Sequence, residues 1–165
     1  MSNSGDADLF PSNAIVCGRR YIAVPKTVYS DAALENDLVG LNGVWRKFQR
    51  RRDRDAVYTF LSEVFRLVAW WIVEMDEDMR AIRILDESGV SKIPDDVEPF
   101  AAVIIAAAAP KVLDKRLVSK WSRVLRYAAK YKDPSQRLGT FIKRRGGLNA
   151  CAARYARRLG RGAIE

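Results

Sequence analysis

Leu113 to Lys132 reads LDKRLVSKWSRVLRYAAKYK, and this stretch decides the fold. At the helical advance of about 100° per residue, Leu113, Leu117, Val118, Trp121, Val124, Leu125, Ala128 and Ala129 fall on one half of a cylinder. Lys115, Arg116, Lys120, Arg123, Arg126 and Lys130 fall on the other half, with no acid among them. The pattern predicts an amphipathic helix whose apolar half lies on a core. Surface helices ordinarily mix signs, because neighbouring Glu–Lys pairs contribute about 0.2–0.5 kcal/mol each. A face of one sign forgoes those pairs and adds repulsion, so a partner outside the helix is expected to offset it.

Further along the chain the arrangement repeats. Asp133-Pro134 and Gly146-Gly147 punctuate the sequence and predict three helices over roughly 113–132, 135–145 and 149–160. In the last of these, Leu148, Cys151, Ala152, Tyr155 and Leu159 share a face, and Arg154, Arg157, Arg158 and Arg161 share a stripe. Lys143, Arg144 and Arg145 sit between the two basic helices. The segment RLGTFIKRRGGLNACAARYARRLGR reads as helix, glycine turn, helix, the order a helix-turn-helix requires. Asn149 is the expected N-cap of the second helix. On that registration the four arginines face the major groove. On a competing registration GGLNACAARYARRLG is the first helix of such a motif, and its reading helix would lie beyond Glu165.

Working back towards the N-terminus, Pro110 ends a ten-residue apolar run, FAAVIIAAAA, expected to belong to a helix starting near Asp95 or Asp96. From about Asp55 to Asp86, Leu61, Val64, Phe65, Val68, Ile72 and Met75 recur at helical spacing. The pattern predicts one long helix, apolar on nearly every side around Ala69 to Val73. Ser30 and Asp31 offer helix-start chemistry to AALENDLVGLNGVWRKFQRRR, and Gly40-Leu-Asn-Gly43 is expected to break that helix. Ile15 to Val24 fits a short strand or hairpin, and residues 1–14 a flexible leader. Strand, Pro25 and helix also match the opening of a ribbon-helix-helix module, in which Arg19, Arg20 and Tyr21 would read the groove.

The expected fold class is therefore all-α, a single multi-helix domain of five to seven helices with a short N-terminal strand or hairpin. Its organisation is a leader over 1–14, a helical core over 15–110 and a basic region over 111–165 packed on that core. Neither apolar stretch reads as a membrane span: the alanine-rich run falls short of the roughly 20 residues required, and Val64 to Met75 carries Arg66 and Glu74.

Charge is unevenly distributed over the 165 residues. Lys111 to Gly162 holds 16 Lys or Arg against Asp114 and Asp133, a balance of +14; residues 1–110 carry −4 and Glu165 carries −1, which returns the net +9. Nine of the acids lie between Glu74 and Glu98. They offer an internal or intersubunit partner for the basic region, and this competes with a polyanion from outside. A second basic cluster, Arg46, Lys47, Arg50, Arg51, Arg52 and Arg54, fits either an extension of the same surface or cations drawn to a helix C-terminus.

There is no histidine and there are only two cysteines, Cys17 and Cys151. This excludes a Ser-His-Asp triad, a Cys-His pair and a four-thiolate zinc site. It also makes a reducing cytoplasm the expected compartment. Glu74, Asp76, Glu77 and Asp78 point in different directions on one helix and do not converge on a metal. Cys151 reads as packed and inert. No catalytic residue, metal, cofactor or small-molecule substrate is expected.

The sequence instead predicts a non-catalytic regulator or accessory factor that binds nucleic acid, duplex DNA before RNA. The binding residues expected are Lys115, Arg116, Lys120, Arg123, Arg126, Lys130, Lys143, Arg144, Arg145, Arg154, Arg157, Arg158 and Arg161. The alternative is a helical assembly or adaptor subunit, joined to copies of itself or to a protein partner through acidic and basic surfaces.

Overall fold

A computed structural model describes residues 14–17, 20–23, 31–51, 53–91 and 97–162. Residues 1–13 of the expected leader, Arg19, Pro25, Ser30, Asp95 and Asp96 lie outside the described residues. Ahead of the helices, the backbone of Ala14–Cys17 (β1) runs antiparallel to Arg20–Ala23 (β2), with Ala14 opposite Ala23.

Seven helices make up the remainder of the described fold. They are α1 (Asp31–Arg51), α2 (Arg54–Glu74), α3 (Glu77–Glu87), α4 (Pro99–Ala108), α5 (Lys115–Tyr131), α6 (Leu138–Arg144) and α7 (Gly147–Gly162).

The hub is α4. Phe100, Ala102, Val103, Ile104, Ala106, Ala107 and Ala108 are all buried, and α1, α2, α3 and α5 pack around them. Its alanines explain how so short a helix takes four neighbours, because side chains ending at Cβ let the surrounding helices approach closely. Pro99 stands at its first position, where a missing N–H costs nothing. Beside this hub, Trp45 of α1, Phe60 of α2 and Trp121 of α5 meet with ring centroids 5.1–6.5 Å apart. These aromatic contacts fix the outer edge of α5 to the N-terminal half of the bundle.

Several local expectations are corrected. Gly40 and Gly43 do not break α1, which runs unbroken from Asp31 to Arg51. Its buried line of Leu34, Leu38, Leu41 and Trp45 holds the helix together through the glycines, tertiary packing overriding a local cost of about 1 kcal/mol each. The long helix expected over 55–86 is two. Met75 is extended, and Asp76 accepts from Met79 N at 3.0 Å, so a new helix starts there. Nor is Ala69 to Val73 buried on all sides, since Ile72 and Val73 are 46% and 37% exposed. The most enclosed segment is α4, where only Ala101, Ile105 and the terminal Ala109 are half-buried rather than buried. That helix begins at Pro99 rather than at Asp95 or Asp96, because Glu98 accepts from Phe100 N and Ala101 N and sets the start.

By length and composition α2 is sufficient to cross a bilayer, with 21 residues and a mean hydropathy of 1.4 in its richest window. Core helices share that property, and here Phe60, Leu61, Val64, Leu67, Val68 and Trp71 are buried against the other helices.

Candidate nucleic-acid interface

The division predicted for α5 is observed. Val118, Trp121, Val124, Leu125 and Ala128 are buried, and Ser122 and Tyr127 join them. Lys115, Arg116, Arg123 and Lys130 are exposed, while Lys120 and Arg126 are half-buried. Leu113 and Leu117 are half-buried and Ala129 is exposed, so the apolar stripe is narrower than expected. Lys115 and Arg116 occupy the first turn, where the backbone dipole disfavours cations. Asp114 caps that turn by accepting from Arg116 N at 3.0 Å.

The expected helix over 135–145 forms only from Leu138. Asp133 accepts from the backbone N–H and the hydroxyl of Ser135, at 2.8 and 2.5 Å, and holds that stretch as a turn. Gly146 and Gly147 then adopt φ of 90° and 89°. This left-handed conformation stops α6 and lets α7 start at Gly147, so Asn149 lies inside α7 rather than at its cap. Cys151 and Ala152 are buried and Tyr155 is half-buried, as their shared face requires, but Leu159 is 57% exposed. Lys143, Arg144, Arg145, Arg157 and Arg158 are exposed, and Arg154 is half-buried. Arg161 lies within α7, and its side chain is outside the described residues.

Of the twelve predicted cations whose side chains are described, two are ion-paired to the protein's own carboxylates. Arg126 Nε lies 2.8 Å from Glu98 Oε1, and Lys143 Nζ lies 2.6 Å from Asp55 Oδ1. The other ten have no carboxylate within ion-pair distance among the described residues.

Several are instead oriented by uncharged groups. Arg154 donates to the carbonyl of Arg145, which joins the end of α6 to α7. Arg158 donates to the Tyr131 hydroxyl and lies 4.4 Å from the centre of that ring, and Arg145 stacks on Phe141 at 5.6 Å. Beneath Arg145 and Arg154, burial pushes the Cys151 thiol above its ordinary range, against the pull of the two guanidinium groups. A thiol held protonated is a poor nucleophile.

An acidic contribution to this region comes from Glu98, a role its sequence context does not single out. Glu98 accepts from two backbone N–H groups of α4, from the Ser122 hydroxyl and from Arg126. The Glu-Pro pair at 98–99 is the available signal, since proline favours the first helical position. Glu98 also lines an open cleft of about 610 Å³, whose walls include Glu77, Asp78, Lys130, Arg158, Tyr131 and Tyr155. Neither Glu77 nor Asp78 is ion-paired across it. Elsewhere, no group of three His, Cys, Asp or Glu side chains among the described residues is placed to hold a metal ion.

The fold and this region together define a predominantly helical protein in which, among the described residues, most cations of α5, α6 and α7 lack a carboxylate partner. No protein-family model, curated protein or solved structure matches the chain.

Proposed function

We propose that this protein binds nucleic acid without catalysis, duplex DNA before RNA, as a regulator or accessory factor. Phosphate contacts from α5, α6 and α7 supply most of the affinity. The observation that carries the reading is the set of ten cations with no carboxylate partner among the described residues, on helices whose opposite faces build the core. Polyanion binding relieves the repulsion such a surface stores. Arginine dominates on α7, and its planar fork suits phosphate oxygens and guanine edges. In this reading α6, the glycine turn and α7 act as a helix-turn-helix-like unit with α7 against the duplex. Here α2 is a core helix rather than a membrane span, and the compartment is the cytoplasm.

Fluorescence anisotropy with a labelled duplex, titrated from low to high salt, tests the reading. Six phosphate contacts give a log–log slope of about −5. Replacing Arg154 and Arg157 by Ala weakens binding and flattens the slope, while the melting temperature falls only by the loss of the one hydrogen bond from Arg154 to the Arg145 carbonyl. Binding that is absent, or indifferent to salt, refutes the proposal.

A second reading rests on the α2–α3 side of the cleft that Lys130 and Arg158 also line. Ile72, Val73, Met79 and Ile82 are exposed on α2 and α3 beside Asp76, Glu77 and Asp78. An apolar and acidic corner of this kind fits an assembly subunit that joins a basic surface of another copy. Salt-sensitive self-association without duplex binding distinguishes it.

A further inference from the structure

The basic cluster at the end of α1 is distant in sequence from the C-terminal helices, and the fold brings it to them. Lys111 Nζ donates to Gln49 Oε1 at 3.2 Å across 62 positions of chain. Trp45 and Phe48 of α1 pack on Trp121 of α5, with centroids 6.5 and 6.0 Å apart. Beyond the elbow between α1 and α2, the ion pair of Asp55 with Lys143 shows that the start of α2 lies beside α6. The elbow therefore lies between the approach to α5 on one side and the end of α6 on the other.

On α1, Gln49 marks the flank that Lys111 reaches. Arg46 and Arg50 stand about 60° and 100° further round the helix. This carries them away from the buried line of Leu34, Leu38, Leu41 and Trp45. Arg46, Lys47, Arg50, Arg51 and Arg54 are all exposed, and none is ion-paired among the described residues. The nearby acids are engaged: Asp53 caps α2 by accepting from Asp55 N, Asp55 holds Lys143, and Asp114 caps α5.

Attraction to the C-terminal dipole of α1 accounts for Arg50 and Arg51 in the last turn. It does not account for Arg46 and Lys47 a turn earlier. There, Arg46 with Arg50 and Lys47 with Arg51 form like-charge pairs four residues apart, which destabilise a helix left to itself.

We propose that the end of α1 and Lys111 form a second nucleic-acid contact surface, so that a duplex held by the C-terminal helices also crosses the α1–α2 elbow. This rests on the nucleic-acid reading above. The test compares three full-length proteins in the same duplex salt titration: wild type, R46Q/R50Q/K111Q and R154A/R157A. The first variant should weaken binding and flatten the log–log slope by about 0.9 for each phosphate no longer neutralised, with an unchanged melting temperature. R46K/R50K keeps the charge and should keep the slope. Wild-type affinity and slope in R46Q/R50Q/K111Q, alongside weakened R154A/R157A, overturn this surface and leave the C-terminal one intact. If wild type itself shows no salt-dependent binding, both fall. Should the triple variant melt early, single R46Q and R50Q substitutions carry the same test, each expected to reduce the slope by about one.

Discussion

Replacing Glu98 by Ala should be among the most damaging single changes on the described surface of this protein, because one carboxylate serves three structures at once. It caps α4 through Phe100 N and Ala101 N at 3.1 and 2.9 Å. Losing an N-cap costs typically ~1 kcal/mol. It also accepts from the hydroxyl of Ser122, which is only 8% exposed. Stranding a buried donor costs about 1–3 kcal/mol. Its pairing with Arg126 adds less, because the two side chains are 22% and 41% exposed. Pairs that wet contribute about 0.2–1 kcal/mol. These effects share one group and do not add strictly, so the expected loss is about 2–5 kcal/mol. In a chain of 165 residues, each kcal/mol moves the midpoint by about 2–4 °C. The melting temperature, followed by far-ultraviolet circular dichroism, should therefore fall by about 4–20 °C. Glu98→Gln keeps an acceptor oxygen for the cap and should lose less. A fall within experimental error for Glu98→Ala would refute the idea that this side chain fastens α4 to α5.

Three further outcomes are expected. Gly146→Ala and Gly147→Ala should each cost about 1–2 kcal/mol in thermal melts, because both positions hold left-handed backbone. Gly146→Ala should cost more, since its new Cβ meets that of Ala150 at 3.1 Å; unchanged melting would sink this explanation of the turn. In a C17S background, native Cys151 should react with a disulfide reagent only as fast as the protein opens, and rapidly in denaturant, given burial and a raised thiol. Fast native labelling would contradict this. Asp55→Asn should leave the melting temperature unchanged, since both partners of its pair with Lys143 are exposed, while releasing Lys143 to tighten duplex binding. The pair raises Lys143 above its ordinary range, so Lys143 stays charged and paired at both pH 7 and pH 9. Equal effects of Asp55→Asn at pH 7 and pH 9 are the check, and a difference between them would refute the assignment.

Helix existence and facing were legible where the period was long and clean. The α5 pattern located Val118, Trp121, Val124, Leu125 and Ala128 in the core and its cations outside it, because the side-chain period of a helix is a local property. Boundaries were less legible. Asp76, Glu98 and Asp133 each start a helix or delay one through a hydrogen bond to backbone two or three residues away. Apolar spacing carries no trace of such a bond. The centre of the bundle was also displaced. Ala69 to Val73 has the larger side chains, but α4 carries no polar side chain at all and its small ones admit more neighbours, so α4 takes the centre.

By itself the amino-acid order determined that the chain is helical, that its last third is basic, and which side of each late helix carries the charge. Only the tertiary structure decided which cations meet carboxylates: Arg126 and Lys143 do, and ten others among the described residues do not. It also decided that Gln49 meets Lys111 across 62 positions. The reason is one of range. A helical face is set by neighbours within a turn or two, whereas an ion pair or a joined surface depends on where packing brings segments that the sequence keeps far apart.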